Sequence, residues 1–478
     1  MRSPYDKIIR SLWHPAATRR LARALADLAA DTLLVQHGAV RPSGSAHRAR
    51  RIVNAAGSPG SATRLAQRIQ RSSLKLAHPR YLAQQVAAPI PLAALIESLV
   101  AALNQSLAVW EMAPAATAID RSLFIRFKRL FGLPRQAEGT LVPGGAFGNL
   151  TALFAAREAL APRSRSAAAP ALALIAGEQA HYSVKRAAAV LGLRPDAVFR
   201  VPLDREFRTD TERVPEAIAA ARHAGFRQLV LIGSAGSTAT GSFDDLAALR
   251  RLASREDAWL HVDAAHGGGM AFSRRLRRRL RGIDAADSIV FDPHKMMFMP
   301  LTAGGVLLRD GWRLRAPLAE QAPYLFGAKR AWPDIGQYSI ACSQRFDALK
   351  IWLVWQVYGS KVWDALVTQT CAVCDAGYRY CRSSRWLEPV HAPHSNIMCF
   401  RLRGIARRDA DRVHWQIKEE INESGYAYLS STVLSGRRVL RLVIMNPRTR
   451  AADVIDVLRR VERAARAWAR PRASRARR

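Results

Sequence analysis

The sequence has few lysines and few acidic residues for its length. Only nine of its 73 basic residues are lysines and 64 are arginines, and its 38 acidic residues leave a net charge of +35. A large positive charge is typical of nucleic-acid-binding proteins. The arginines, however, are spread along the chain and accompany no helix-turn-helix, zinc-finger or RNA-binding aromatic motif. We therefore interpret them as a compositional bias on solvated surfaces and predict that nucleic acid is not a partner.

Long apolar runs and a secretory pattern are also missing. No window holds 18 uninterrupted apolar residues, so we expect no membrane span. The first ten residues include Asp6 and Lys7 and no apolar core, which predicts no signal peptide. Cys371 and Cys374 lack a second pair or a histidine at ligand spacing, which favours two buried thiols on one helix face over a metal site. The sequence therefore predicts a cytoplasmic protein without a bound metal.

The remaining composition is that of a globular protein. Apolar residues make up 49% of the 478 residues and charged residues 23%. Short apolar runs alternate with amphipathic helical patterns, and five of these runs read as buried strands: Leu172–Ala176, Val198–Val201, Gln228–Ile232, Trp259–Val262 and Ser288–Phe291. This alternation predicts an α/β fold, with a mostly parallel central sheet and helices on both faces.

The chain is expected to divide into four parts. Residues 1–77 read as an N-terminal helical arm, and residues 78–360 as a large domain that contains the parallel sheet. Residues 361–465 alternate between helices and three strands, which predicts a small C-terminal α+β domain. Residues 466–478 form a basic tail that we expect to be disordered.

Chemically useful side chains follow the predicted strands, where ligands bind in parallel sheets. Asp263 follows Trp259–Val262, and a carboxylate there needs a positive partner unless it caps a helix. Lys295 follows Ser288–Phe291 and is one of the few lysines that the chain retains. Unlike arginine, a lysine can lose its proton and form a Schiff base, although a surface lysine is the plain alternative.

Three further features lie at comparable positions. Gly144 and Gly145 precede a helix and could approach a phosphate, or form an ordinary turn. His181 and the polar loop 234–238 follow two other strands, and each alone would be structural. Together with Asp263 and Lys295, these features match a ligand with a phosphate, a carbonyl, a basic ring nitrogen and a flat face. Pyridoxal 5′-phosphate has all four.

The segments that carry these residues share a set of motifs. They read HVDAAHGGG (261–269), DPHK (292–295), HYSVK (181–185), GST with GSFD (236–244) and SQRFDALKIW (343–352). Over residues 75–465 the chain resembles the pyridoxal-phosphate-dependent group II amino-acid decarboxylases. The resemblance implies the fold-type I architecture of these enzymes.

The resemblance also implies a set of cofactor-binding residues, which comprises Gly145, Ala146, His181, Thr238, Asp263, Ala265, His294 and Lys295. In such enzymes Lys295 would form the Schiff base and Asp263 would pair with the ring nitrogen. His181 would stack on one face of the ring and Ala265 would lie under the other. The glycine turn and His294 would surround the phosphate.

Further implications concern catalysis and the substrate. The catalytic residues would be Lys295, His181 and Tyr324. Tyr324 would lie on a loop that reaches the partner subunit's site, where its side chain would reprotonate Cα. Gln84 and Arg441 would contact the substrate. The family's members are homodimers with the site at the interface, and the N-terminal arm would be exchanged between subunits. The resemblance thus implies an amino-acid substrate and a homodimer.

The residues leave the substrate and one alternative reaction open. After His78–Tyr81 the chain reads LAQQV, whereas the glutamate and cysteine sulfinate enzymes usually carry Asn-Gln shortly after this point. An acidic, aromatic, diamino or aliphatic amino acid therefore remains possible. A carbon–carbon lyase or an aminotransferase-like enzyme on the same fold is the alternative, and Tyr324 favours decarboxylation over it.

Overall fold

The structure, a computed structural model, describes residues 14–41, 61–161, 172–319, 326 and 333–469. The helices in these ranges are α1 (Pro15–Leu34), α2 (Ala62–Ser72), α3 (Pro91–Leu95), α4 (Glu97–Leu103), α5 (Pro114–Leu130), α6 (Gly145–Leu160), α7 (Ser183–Val190), α8 (Val214–His223), α9 (Leu246–Arg255), α10 (Gly311–Arg315), α11 (Ala348–Tyr358), α12 (Lys361–Ser383), α13 (Ala410–Glu423) and α14 (Ala451–Ala469). The strands are β1 (Tyr81–Leu82), β2 (Glu138–Val142), β3 (Leu172–Gly177), β4 (Val198–Val201), β5 (Gln228–Ser234), β6 (Trp259–Ala264), β7 (Ser288–Phe291), β8 (Gly304–Leu308), β9 (Leu387–Pro389), β10 (Ile397–Leu402), β11 (Tyr428–Leu434) and β12 (Arg437–Val443).

The central sheet has seven strands in the order β2-β8-β7-β6-β5-β3-β4. Five neighbouring strands, β7 to β4, are parallel, and β8 is antiparallel to both of its neighbours. The near-continuous apolar runs of β3, β6 and β7 are buried on both faces of the sheet, as is typical of parallel strands. The predicted α/β fold with a mostly parallel sheet is therefore confirmed.

The five predicted strands are present, and their ends matter for the site. β4 and β7 have the predicted bounds, whereas β5 and β6 each run two residues further. Asp263 therefore lies within β6 and pairs with Ser234 of β5. β2 and β8 were not predicted. β8 begins with Gly304-Gly305, which have low strand propensity. A Cβ on Gly305 would lie 2.4 Å from the Phe291 ring, so packing explains this glycine.

A second sheet of five strands has the order β1-β11-β12-β10-β9. It is antiparallel except where β1, from near residue 80, pairs in parallel with β11. Helices α12, α13 and α14 pack beside these strands around a separate apolar core. The short β1 thus ties an early segment of the chain to the late strand β12 through β11.

Three other sequence expectations concern helices. Cys371 and Cys374 are both buried on α12, as predicted, and burial raises the pKa of each thiol above its usual value. α14 continues to Ala469, so the first four residues of the expected basic tail are helical, and residues 470–478 lie outside the described ranges. None of the helices that the structure describes has the length and apolarity needed to cross a bilayer.

Candidate active site

A cavity lies at the carboxyl edge of the central sheet, where β3, β5, β6 and β7 end beside the start of α6. Its walls are formed by Gly145, Ala146, Asn149, His181, Ser234, Gly236, Ser237, Thr238, Asp263, Ala265, His266 and Lys295. Parallel strands thus bring together side chains from segments that are far apart in sequence.

Most of the cofactor-binding residues expected from the sequence line this cavity. They are Gly145, Ala146, His181, Thr238, Asp263, Ala265 and Lys295. The remaining one, His294, lines an adjoining depression that shares Gly145, Ala146 and Lys295 with the cavity.

The Asp263 carboxylate is held by neutral donors. Its Oδ2 accepts a hydrogen bond of 2.8 Å from Asn149 Nδ2, and its Oδ1 accepts one of 3.1 Å from the Ala265 amide. No ion pair to Asp263 is found among the described residues. A half-buried carboxylate is costly without a positive partner. The protonated ring nitrogen of pyridoxal phosphate fits this requirement.

Two lysines differ in how many hydrogen-bond partners their amines have. Lys350 is completely buried, and its Nζ donates to the Glu97 and Asp347 carboxylates and to a backbone carbonyl at 2.7–3.0 Å. Lys295 has one carboxylate partner, Asp292 Oδ2 at 3.0 Å, and its side chain is 18% exposed at the cavity wall. Lys350 is therefore structural, and Lys295 is the amine available for reaction with a carbonyl.

The start of α6 forms a tight cradle. A Cβ on Gly145 would lie 2.8 Å from Ala265 Cβ and 2.9 Å from Asp292 Oδ2, so a larger residue would not fit. The first amides of a helix have no partner within it and attract anions. His294 lies 3.5 Å from Asp292 Oδ2 through its Nε2, and burial lowers its pKa. The cradle fits the phosphate of the cofactor.

His181 presents a neutral ring to the cavity. Burial lowers its pKa, and the nearby Asp263 opposes this effect only in part. Its Nδ1 lies 2.8 Å from Ser183 Oγ and accepts a hydrogen bond of 3.3 Å from the Ser183 amide. A neutral imidazole held in this way can stack on a flat ligand.

Five wall residues were not among the predicted site residues, namely Asn149, Ser234, Gly236, Ser237 and His266. All five lie within or beside the segments that the sequence singled out. His266 is fully enclosed, and burial lowers its pKa to about 3. Its Nε2 lies 2.8 Å from Asn396 Oδ1. No sequence signal separates such wall residues from their neighbours, because the turn that exposes them depends on tertiary packing.

The two expected substrate residues lie outside the cavity wall. Arg441 is 5% exposed and donates to the carbonyls of Thr238, Ala239 and Ala83 at 2.7–3.1 Å and to a serine hydroxyl. Four of its five N–H groups are thus engaged in these bonds. The exposed Gln84 directly follows the backbone that Arg441 fixes. Tyr324 lies outside the described residues.

Comparisons with known proteins show the family of this chain. Residues 66–403 match the pyridoxal-dependent decarboxylase conserved domain. The L-2,4-diaminobutyrate decarboxylase of Rhizobium meliloti is 32% identical over 388 residues, which are 80% of this chain and 77% of that protein. The aromatic-L-amino-acid decarboxylase of Bacillus atrophaeus is 28% identical over 391 residues, 80% and 81% of the two chains.

A solved structure has a similar fold. The crystal structure of mouse CSAD superposes with a TM-score of 0.88 at 26% identity, covering 94% of this chain and 99% of that one. The chain belongs to the pyridoxal-dependent decarboxylase family. It is accordingly a carboxy-lyase that uses pyridoxal phosphate.

The buried His266 predicts a specific pH dependence of stability. Its pKa of about 3 lies below the usual 6.5, so on acidification the unfolded chain takes up a proton that the folded chain does not. This contribution is complete above pH 6.5 and is lost as the pH falls towards 3. At pH 5 the loss is about 2 kcal/mol. His266→Gln keeps an N–H for Asn396 and should remove this amount from the difference between pH 7 and pH 5, measured by urea unfolding.

The matched control is His37→Gln, at an exposed histidine. This variant should keep the wild-type dependence on pH. An unchanged difference in His266→Gln would show that His266 titrates alike in the folded and unfolded chains.

Proposed function

We propose that this protein converts an L-amino acid into the corresponding amine and CO2, with pyridoxal phosphate bonded to Lys295. The observation that carries the proposal is the pairing of two groups in one cavity. The Lys295 amine, with one carboxylate partner among the described residues, follows β7. The Asp263 carboxylate, which has no cationic partner among those residues, lies near the end of β6. When bound, the cofactor supplies an electron sink for the electron pair that departing CO2 leaves on Cα.

The other wall residues have supporting roles in the proposal. Asp263 would hold a proton on the ring nitrogen, and the neutral His181 and the small Ala265 would contact the two faces of the ring. The amides of Gly145 and Ala146 would bind the phosphate beside His294. Each assignment is supported by the position of the residue in or next to the cavity.

Substrate selection is assigned to Arg441 and Gln84. The remaining N–H of Arg441 would bind a carboxylate, and its other bonds would hold the Thr238 loop against the segment that carries Gln84. The names of the relatives include diaminobutyrate, aromatic-amino-acid and glutamate decarboxylases. The substrate is therefore best identified by a panel that covers all of these classes.

Tyr324 is proposed to donate the proton that Cα receives after CO2 has left. We further propose a homodimer in which Tyr324 acts in the partner subunit's site. The helical arm supports an interface, because α1 buries no side chain in the single chain and leaves Leu25 and Leu34 exposed by 42% and 63%. We propose a cytoplasmic location because none of the five cysteines forms a disulfide, as is usual in a reducing compartment.

The decarboxylation itself is tested by CO2 release. The cofactor-loaded protein would be assayed with glutamate, aspartate, cysteine sulfinate, diaminobutyrate, aromatic and branched aliphatic amino acids. We expect CO2 and amine in equal amounts from one class, and no CO2 with Lys295→Ala. The matched control is Lys361→Ala, at an exposed lysine at the start of α12. Cofactor-loaded protein that releases no CO2 from any class would refute the proposal.

Subunit complementation tests the position of Tyr324. Lys295→Ala and Tyr324→Phe subunits are each expected to be inactive as homodimers. If Tyr324 acts across the interface, a mixed dimer contains one intact site, and a statistical mixture should recover about one quarter of wild-type activity. If Tyr324 acts within its own subunit, or the protein is a monomer, mixing restores no activity.

A further inference from the structure

A chain of hydrogen bonds lies behind the cavity and ends on Asp263. Trp259 Nε1 bonds Ser288 Oγ at 2.8 Å, and Ser288 Oγ lies 2.8 Å from His261 Nδ1. His261 Nε2 lies 3.0 Å from Asn149 Oδ1, and Asn149 Nδ2 reaches Asp263 Oδ2 at 2.8 Å. Trp259, His261 and Asp263 alternate along β6 and so share one face of the strand.

Every bond in this chain has a determined direction. The amide nitrogen of Asn149 must face Asp263, because its oxygen would be repelled by the carboxylate. Both Nδ2 hydrogens are used, on Asp263 Oδ2 and on Ser183 Oγ at 2.8 Å. Asn149 Oδ1 therefore accepts, and His261 Nε2 carries a proton.

The other end of this series of hydrogen bonds, at Ser288 and Trp259, shows which nitrogen of His261 is the acceptor. Burial lowers the pKa of His261 to about 4, so its ring is neutral and its Nδ1 is an acceptor. The Ser288 hydroxyl donates to Nδ1 and accepts from Trp259, whose indole nitrogen can only donate. The four residues that lead to Asp263 through these bonds are each 3% exposed or less, namely Trp259, Ser288, His261 and Asn149. Water therefore cannot replace a lost partner.

The same amide also controls His181. Ser183 Oγ accepts from Asn149, so its own hydrogen is free to bond His181 Nδ1 at 2.8 Å. His181 Nδ1 therefore accepts, and its proton lies on Nε2. Asn149 thus links two groups of the site: the Asp263 carboxylate, which would pair with the ring nitrogen, and the His181 imidazole, which would stack on the ring.

We infer that Asn149 and His261 are positioning residues that hold the Asp263 carboxylate towards the ring nitrogen of the cofactor. His261 fixes the orientation of the Asn149 amide, and the amide fixes Asp263 Oδ2. The inference rests on the proposed role of Asp263. It adds two residues to the site, of which Asn149 lines the cavity and His261 lies behind it.

The experiment compares two ligands that differ at one atom. Pyridoxal phosphate and its analogue with CH in place of the ring nitrogen would be titrated into the full chain, and binding would be followed by tryptophan fluorescence. A positioning role through Asp263 affects only the ligand with a ring nitrogen. A purely structural role affects both ligands equally.

Three variants are informative. His261→Leu removes the donor to Asn149 and should weaken pyridoxal phosphate about tenfold and the CH analogue less than about twofold. His261→Gln supplies a side-chain N–H and should stay within about threefold of wild type for both ligands. Asn149→Asp has the same shape but forces two carboxyls to share a proton, so it should match His261→Leu and should fold even if His261→Leu does not.

The outcomes separate this inference from the proposed function. Equal weakening of both ligands in His261→Leu and Asn149→Asp, or no weakening of either, would overturn it. If wild type itself does not prefer the ring nitrogen, the proposed role of Asp263 fails as well. Thr370→Val, which removes a buried hydroxyl bonded to Leu366 O in α12, is the control and should change neither affinity.

Discussion

A half-buried carboxylate that has no cationic partner among the described residues determines how this site is built. Asp263 lies near the end of a buried strand, where an ionised group is stable only with a positive partner or with several donors. Its two oxygens receive one N–H each from Asn149 and Ala265. These neutral bonds orient the carboxylate without neutralising it, so the charge remains available to a ligand. The cofactor of the family carries the matching charge on its ring nitrogen.

The sheet supplies the second requirement, which is that distant segments meet. Parallel strands end at one edge, so β6 brings Asp263 and β7 brings Lys295 to the same cavity, with the start of α6 beside them. Lys350 shows that a retained lysine is not reactive by itself, since all of its bonds are satisfied internally. The difference between the two amines is one of environment, and it is visible only in three dimensions.

The sequence predicts much of this arrangement, and its failures have physical causes. The bounds of β7 are predicted to the residue, because a buried parallel strand is a short continuous apolar run. β8 was not predicted because it starts with two glycines, which have low strand propensity. Packing explains them, since a Cβ on Gly305 would meet the Phe291 ring and one on Gly304 would meet the Gly144 backbone. The motifs locate Lys295, Asp263 and His181. They do not reveal that His261, a strand residue, reaches Asp263 through Asn149, since that contact joins residues 112 positions apart.

The central claim is that Lys295, and not another lysine, is bonded to the cofactor. Borohydride reduction of the loaded protein makes a carbon–nitrogen double bond permanent, and peptide mass spectrometry then locates the modified residue. The account predicts a single pyridoxyl phosphate adduct on the peptide that contains Lys295. An adduct on Lys350 or on any other lysine, or none on a fully loaded protein, would contradict it.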